Sequence, residues 1–93
     1  MDKMKRSETK DRARYSLLPK QQLENLAIHY TKGALKYGEN NWMNATSEDL
    51  ARAKDSLLRH CFQLVSGETD EDHVSAVVFN AFLIDYINER TSN

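Results

Sequence analysis

Between Tyr30 and Trp42 the chain reads Tyr-Thr-Lys-Gly-Ala-Leu-Lys-Tyr-Gly-Glu-Asn-Asn-Trp, which gathers two lysines, two tyrosines, two glycines, paired asparagines and the only tryptophan. Lysines attract anions, tyrosine and tryptophan offer flat faces on which a base stacks, and glycine permits close backbone approach. A helix that only packs gains nothing from Gly33 in its interior, where glycine costs about 1 kcal/mol against alanine. The combination suits a nucleotide or another aromatic anion and leaves open whether that ligand is cleaved. Lys32 and Lys36 share a helical face, where like charges repel by a few tenths of a kcal/mol until an anion relieves them. The plain alternative is two solvated lysines. Tyr37, Asn41 and Trp42 complete the ligand-binding candidates of this stretch, with Trp42 alternatively closing a small core. Tyr30 falls on the apolar stripe and reads as core.

A second group lies further along. Arg59 and His60 are predicted on a helix, with Arg59 one turn from Asp55 and two turns from Arg52. The flank is either a solvated Asp55–Arg59 ion pair, worth little in water, or a guanidinium fork for phosphate or a base edge. His73 and Asn80 are seven apart and so share a face two turns apart. A buried amide such as Asn80 must find partners, across an interface or on a base. Cys61 follows His60 directly, which turns the two side chains apart on a helix, and no catalytic residue is predicted.

An all-α hydrolase of phosphoanhydrides holds magnesium with several carboxylates, usually as acid-x-x-acid pairs on adjacent helices, a spacing that places both oxygens on one helix face. The acids here instead cluster as Glu48–Asp49 and as Glu68, Asp70, Glu71 and Asp72, at helix starts where acids are favoured anyway. No metal and no cofactor are therefore expected. If the chain were a magnesium-dependent hydrolase, Glu68 and Asp72 would be the ligands.

Three helices must position these residues, and no segment alternates like a strand. Residues 1–13 read as a flexible basic arm and residues 14–93 as a single all-α domain. Arg14 to Pro19 is an extended lead-in, because the residue before proline avoids helical geometry. The first helix starts near Pro19 or Lys20, carries the stripe Leu23, Leu26, Ala27, Tyr30 and Ala34, and stops at Gly38. Glu39 to Ala45 is a loop. Thr46-Ser-Glu-Asp49 opens the second helix with a hydroxyl cap followed by acids. Its stripe is Leu50, Ala53, Leu57, Cys61 and Leu64, and Gly67 ends it. Thr69-Asp-Glu-Asp72 repeats the opening for a third helix running to about Glu89. That helix is apolar nearly all round, from Ala76 to Ile87. Two partners of similar length cover only part of it, so an oligomer interface along the third helix is expected.

Ninety-three residues and 40% hydrophobic content allow one domain with a small core. The net charge of −1 argues against general nucleic-acid binding. Residues 1–14 nevertheless hold six cations against three acids, while the remainder holds seven against eleven. The arm is thus suited to docking on an acidic surface or an anionic ligand, with Arg12 and Arg14 closing over it. A lone cysteine excludes a disulfide framework. Apolar runs of at most four residues exclude a membrane span, and the charged start has no apolar segment behind it, so a cytoplasmic location is expected.

With these residues in view, the chain resembles the dATP/dGTP diphosphohydrolase N-terminal domain family, small proteins or domains common in bacteriophage genomes. The resemblance rests on Arg14-Tyr15, Leu17-Leu-Pro19, Thr31, Gly33-Ala34, Lys36-Tyr-Gly38, Asn41-Trp42, Leu58-Arg-His60, Gly67-Glu68, and His73 with Asn80, and it spans residues 14–87. It implies an all-α, oligomeric nucleotide-handling domain similar in style to the MazG-like pyrophosphatases. It also marks Arg14, Tyr15, Arg59, His60, His73 and Asn80 as site candidates. Members often carry a second histidine three residues after the first, where this chain has Ala76. The function expected is binding or sequestration of a purine or cyclic nucleotide without hydrolysis, a cyclic nucleotide being one used as an antiviral signal in a host cell. A magnesium-dependent pyrophosphohydrolase and a structural module docking a partner through the third helix are the alternatives.

Overall fold

The computed structural model describes residues 12–91. Three helices carry it: α1 (Lys20–Tyr37), α2 (Leu50–Val65) and α3 (His73–Thr91). No strand occurs among the described residues, so the all-α, three-helix reading holds. Most of the predicted arm lies outside these residues; Arg12 and Ala13 are exposed.

The ends of the helices follow their local chemistry. Pro19 precedes α1 in extended geometry, and Gly38 ends it with φ of 100° while its N–H bonds the Ala34 carbonyl. Thr46 and Asp49 form a capping box: the Thr46 hydroxyl accepts from the Glu48 N–H, and the Thr46 N–H donates to the Asp49 carboxylate at 2.9 Å. The box opens a short 3-10 turn, Ser47–Asp49, that runs into α2.

Three local expectations need correction. Arg14–Pro19 is not fully extended, since Tyr15–Leu17 makes one 3-10 turn closed by Leu17 and Leu18 N–H groups. The Glu39–Ala45 loop contains another such turn, Asn41–Asn44, entered through Asn40 in left-handed geometry at φ of 57°. The third helix starts at His73 rather than on a Thr69 cap. Asp72 is the capping acid, its two oxygens accepting from the Ser75 N–H at 3.0 Å and the Ser75 hydroxyl at 2.6 Å. A carboxylate reaches two donors at once, which a threonine hydroxyl cannot match.

α2 and α3 form a hairpin, and α1 packs against α3. Among the described residues only Ala53, Ala76 and Ile87 are buried apolar side chains, and α1 buries none of its residues. Leu64, expected on the core stripe of α2, is exposed. α3 hides Ala76 and Ile87, half-covers Val77, Val78, Phe79, Leu83, Ile84 and Tyr86, and leaves Val74, Ala81 and Phe82 open. One chain thus covers this all-round apolar helix incompletely. No helix is long and apolar enough to cross a membrane, among the described residues.

Candidate functional site

Between α1 and the hairpin lies a cleft of about 1140 Å³, somewhat larger than ordinary ligand sites of roughly 300–1,000 Å³. The wall from α1 carries His29, Tyr30, Gly33 and Tyr37. The Asn41–Asn44 turn adds Asn41 and Trp42, α2 adds Arg52, Ser56 and His60, and α3 adds Phe79 and Asn80. Gly33 leaves open space where a Cβ would stand, so its wall is backbone that a ligand can approach closely. A smaller hollow of about 380 Å³ shares Tyr30, Asn40, Trp42 and Phe79 with the cleft.

The aromatic wall is held from α3. Trp42 meets Tyr86 edge-on, with ring centroids 5.0 Å apart. The Tyr86 hydroxyl donates to the Met43 carbonyl at 3.1 Å, and the Arg90 guanidinium donates to the Met43 and Ala45 carbonyls at 3.0 and 2.9 Å. Arg90 also lies over the Tyr86 ring. The last turn of α3 therefore fastens the turn that presents Trp42. Arg90→Ala is expected to destabilise the domain by about 1 kcal/mol, below the roughly 1.5–3 kcal/mol of a sheltered charged hydrogen bond because Arg90 is exposed. Urea unfolding read from Trp42 fluorescence checks this; a midpoint equal to that of the parent protein would show that the turn holds without Arg90.

At the other end of the hairpin sits a buried histidine pair. His60 on α2 and His73 at the start of α3 bring their Nδ1 atoms to 2.9 Å. His73 Nε2 is 2.7 Å from an Asp70 oxygen. A carboxylate only accepts, so His73 donates from Nε2, leaves Nδ1 bare and accepts from the His60 Nδ1–H. Burial holds the His60 imidazole below its ordinary pKa, opposed by the Glu71 charge. The His73 hydrogen bond lowers the Asp70 carboxyl, and the Ser75 donors lower that of Asp72. Asn80 is buried one turn below Ala76, and its amide donates back to the Ala76 carbonyl at 2.8 Å.

Of the residues singled out in the sequence, Tyr37, Asn41, Trp42, His60 and Asn80 line the cleft together. His73 is buried behind His60 and does not line it. Lys32, Lys36, Arg59, Arg14 and Tyr15 are exposed and stand outside the cleft of their own chain, with Lys36 lying over the Tyr37 ring. The Asp55–Arg59 ion pair does not form; Asp49 takes Arg52 at 2.9 Å instead. Capping fixes Asp49 one turn ahead of Arg52, whereas Asp55 is exposed and has no such restraint. His29, Arg52 and Ser56 are cleft residues the sequence did not flag. Arg52 had a readable signal, since it shares the flank of Arg59 and follows a capping acid. His29 and Ser56 had none, because each is a single polar residue beside an apolar stripe with no motif around it.

Three helices around one broad cleft of aromatic, amide and imidazole groups define a small all-α domain with room for a planar polar ligand. The chain belongs to the dATP/dGTP diphosphohydrolase N-terminal family, whose model matches residues 2–93. No curated protein and no solved structure matches it.

Proposed function

We propose that this domain binds a purine nucleotide in the cleft between α1 and the hairpin, as a homo-oligomer, and holds it without hydrolysis. The observation that carries this reading is the convergence of Tyr37, Asn41, Trp42, His60 and Asn80 on one cleft beside the open backbone of Gly33. Trp42 and the tyrosines offer stacking faces for the base, the amides of Asn41 and Asn80 suit its edge, and Arg52 with His29 is placed for phosphate. Family membership supports a nucleotide as the ligand class.

Magnesium-dependent hydrolysis is the second reading, and the family's name favours it. The expected ligands Glu68 and Asp72, and the cap acid Asp49, do not make a magnesium site together. Asp72 has both oxygens on Ser75, Glu68 accepts from Gln63, and Asp49 is shared between its cap and Arg52. Magnesium asks for near-octahedral oxygen ligation, which these engaged acids do not supply together.

An oligomer is part of the proposal because Val74, Ala81 and Phe82 on α3 remain uncovered while the core of one chain is so small. Lys32, Lys36 and Arg59 stand outside their own cleft, and in this reading they act on the phosphate of a ligand held by a neighbouring subunit. The test is capture and release: the protein is incubated with mono-, tri- and cyclic nucleotides plus magnesium, washed and denatured, and the released species are identified by mass. Intact ligand in stoichiometric amount is expected. Hydrolysis products would establish the enzyme reading, and no ligand at all would leave a partner-docking module.

A further inference from the structure

The contact between His60 and His73 has a second chemical meaning. Their Nδ1 atoms face each other at 2.9 Å inside the hairpin, and the rings are tilted by 44° rather than stacked. Asp70 takes the Nε2–H of His73, which directs the Nδ1 lone pair of that ring at His60. Glu71 brings a carboxylate oxygen within 4.8 Å of a ring nitrogen of each histidine. That carboxylate is exposed and has no hydrogen-bond or ion-pair partner among the described residues.

We propose that His60, His73 and Glu71 form a binding site for a transition-metal dication of the zinc class. At 2.9 Å the two Nδ1 atoms are in hydrogen-bond contact. Metal–nitrogen bonds of ~2.0–2.1 Å at the tetrahedral angle set them roughly 3.3–3.4 Å apart. Binding therefore moves the His60 proton to Nε2, replaces that hydrogen bond and spreads the rings by about 0.4 Å. A carboxylate on the distal N–H of a ligating histidine is the usual second layer of such sites, and Asp70 occupies that place. It fixes which nitrogen of His73 is bare. Two imidazoles with one carboxylate select zinc, cobalt or nickel over magnesium, whose preference is oxygen. Three protein ligands leave one coordination position open. The site itself stands whether or not a nucleotide binds in the cleft.

The test uses the full chain stripped with a chelator and titrated separately with Co²⁺, Zn²⁺ and Mg²⁺. One Co²⁺ per chain with visible ligand-field bands is expected, displaced by Zn²⁺ and not by Mg²⁺. Long-range proton–nitrogen spectra of the imidazoles should move both Nδ1 resonances on adding Zn²⁺ while Nε2 of His73 stays protonated. His73 is only 2% exposed, so its truncation endangers the fold, and the exposed Glu71→Gln carries the mutational test. Glu71→Gln should weaken Zn²⁺ at least tenfold with unchanged far-ultraviolet dichroism, and Asp70→Asn should weaken it about 10- to 100-fold. Absence of stoichiometric binding would overturn the proposal. So would an unaltered affinity in Glu71→Gln. Metallation of His73 at Nε2 would overturn it too, since that nitrogen belongs to the alternative grouping with Glu68 and Asp70.

Discussion

Trp42→Ala should raise the Kd for a purine nucleotide by about 5- to 150-fold, the range that roughly 1–3 kcal/mol of base stacking represents. Trp42 is half-buried, presses edge-on against Tyr86, and borders both the main cleft and the smaller hollow beside it. Its removal therefore also loosens the turn, and binding has to be separated from folding. Two companions do this. Trp42→Phe keeps a ring in place and should recover most of the affinity. Tyr37→Ala removes a ring that is 63% exposed and no part of the core, so it tests the same wall at little cost to stability. Isothermal titration with a nucleotide recovered by capture and release gives the affinities. Equal Kd values for the parent, Trp42→Ala and Tyr37→Ala would remove the base from this wall and with it the proposed mode of binding.

The second large effect concerns assembly. If the chain assembles through α3 as proposed, Phe82→Asp is expected to yield monomers at micromolar concentration, with Kd for association rising at least 100-fold. Phe82 lies 55% exposed on α3, in line with Val74 and Val78 at helical spacing. A buried aromatic at an interface centre contributes about 2 kcal/mol or more, and an unpaired carboxylate in its place adds a desolvation penalty. Phe62→Asp, on the outer face of α2 where Leu58 and Val65 are also exposed, shows whether the interface extends there. Light scattering after size exclusion reads the mass directly. A parent protein that is already monomeric, or a Phe82→Asp variant that stays oligomeric, would separate α3 from any subunit contact.

The helices were legible because their signals are local. Gly38 and Gly67 adopt positive φ, and Thr46 caps as the sequence suggests. The all-round apolar pattern of α3 was equally readable, and it explains why one chain leaves part of that helix open. The cleft was half legible. Tyr37, Asn41 and Trp42 lie in one segment, and composition exposed them. The junction of His60 with His73 depends on how α2 folds back on α3, which no single-helix pattern encodes. The same holds for the clamp of Tyr86 and Arg90 on the Asn41–Asn44 turn, where the partners are more than forty residues apart in sequence. Charged residues were the least legible. Lys32, Lys36 and Arg59 match the chemistry of an anion site, but helical phase directs them away from their own cleft.

Phe79 touches both His29 and Tyr30, with ring centroids 5.4 and 5.1 Å apart, and this is where α1 meets α3. The histidine pair fastens α2 to α3 at the closed end of the hairpin, and the Arg90 clamp ties α3 to the Asn41–Asn44 turn, whereas α1 itself buries no residue. The cleft wall that carries Gly33 therefore rests on α3 chiefly around Phe79. Its amide protons are expected to exchange faster than those of α2 and α3, as a segment with few buried contacts does.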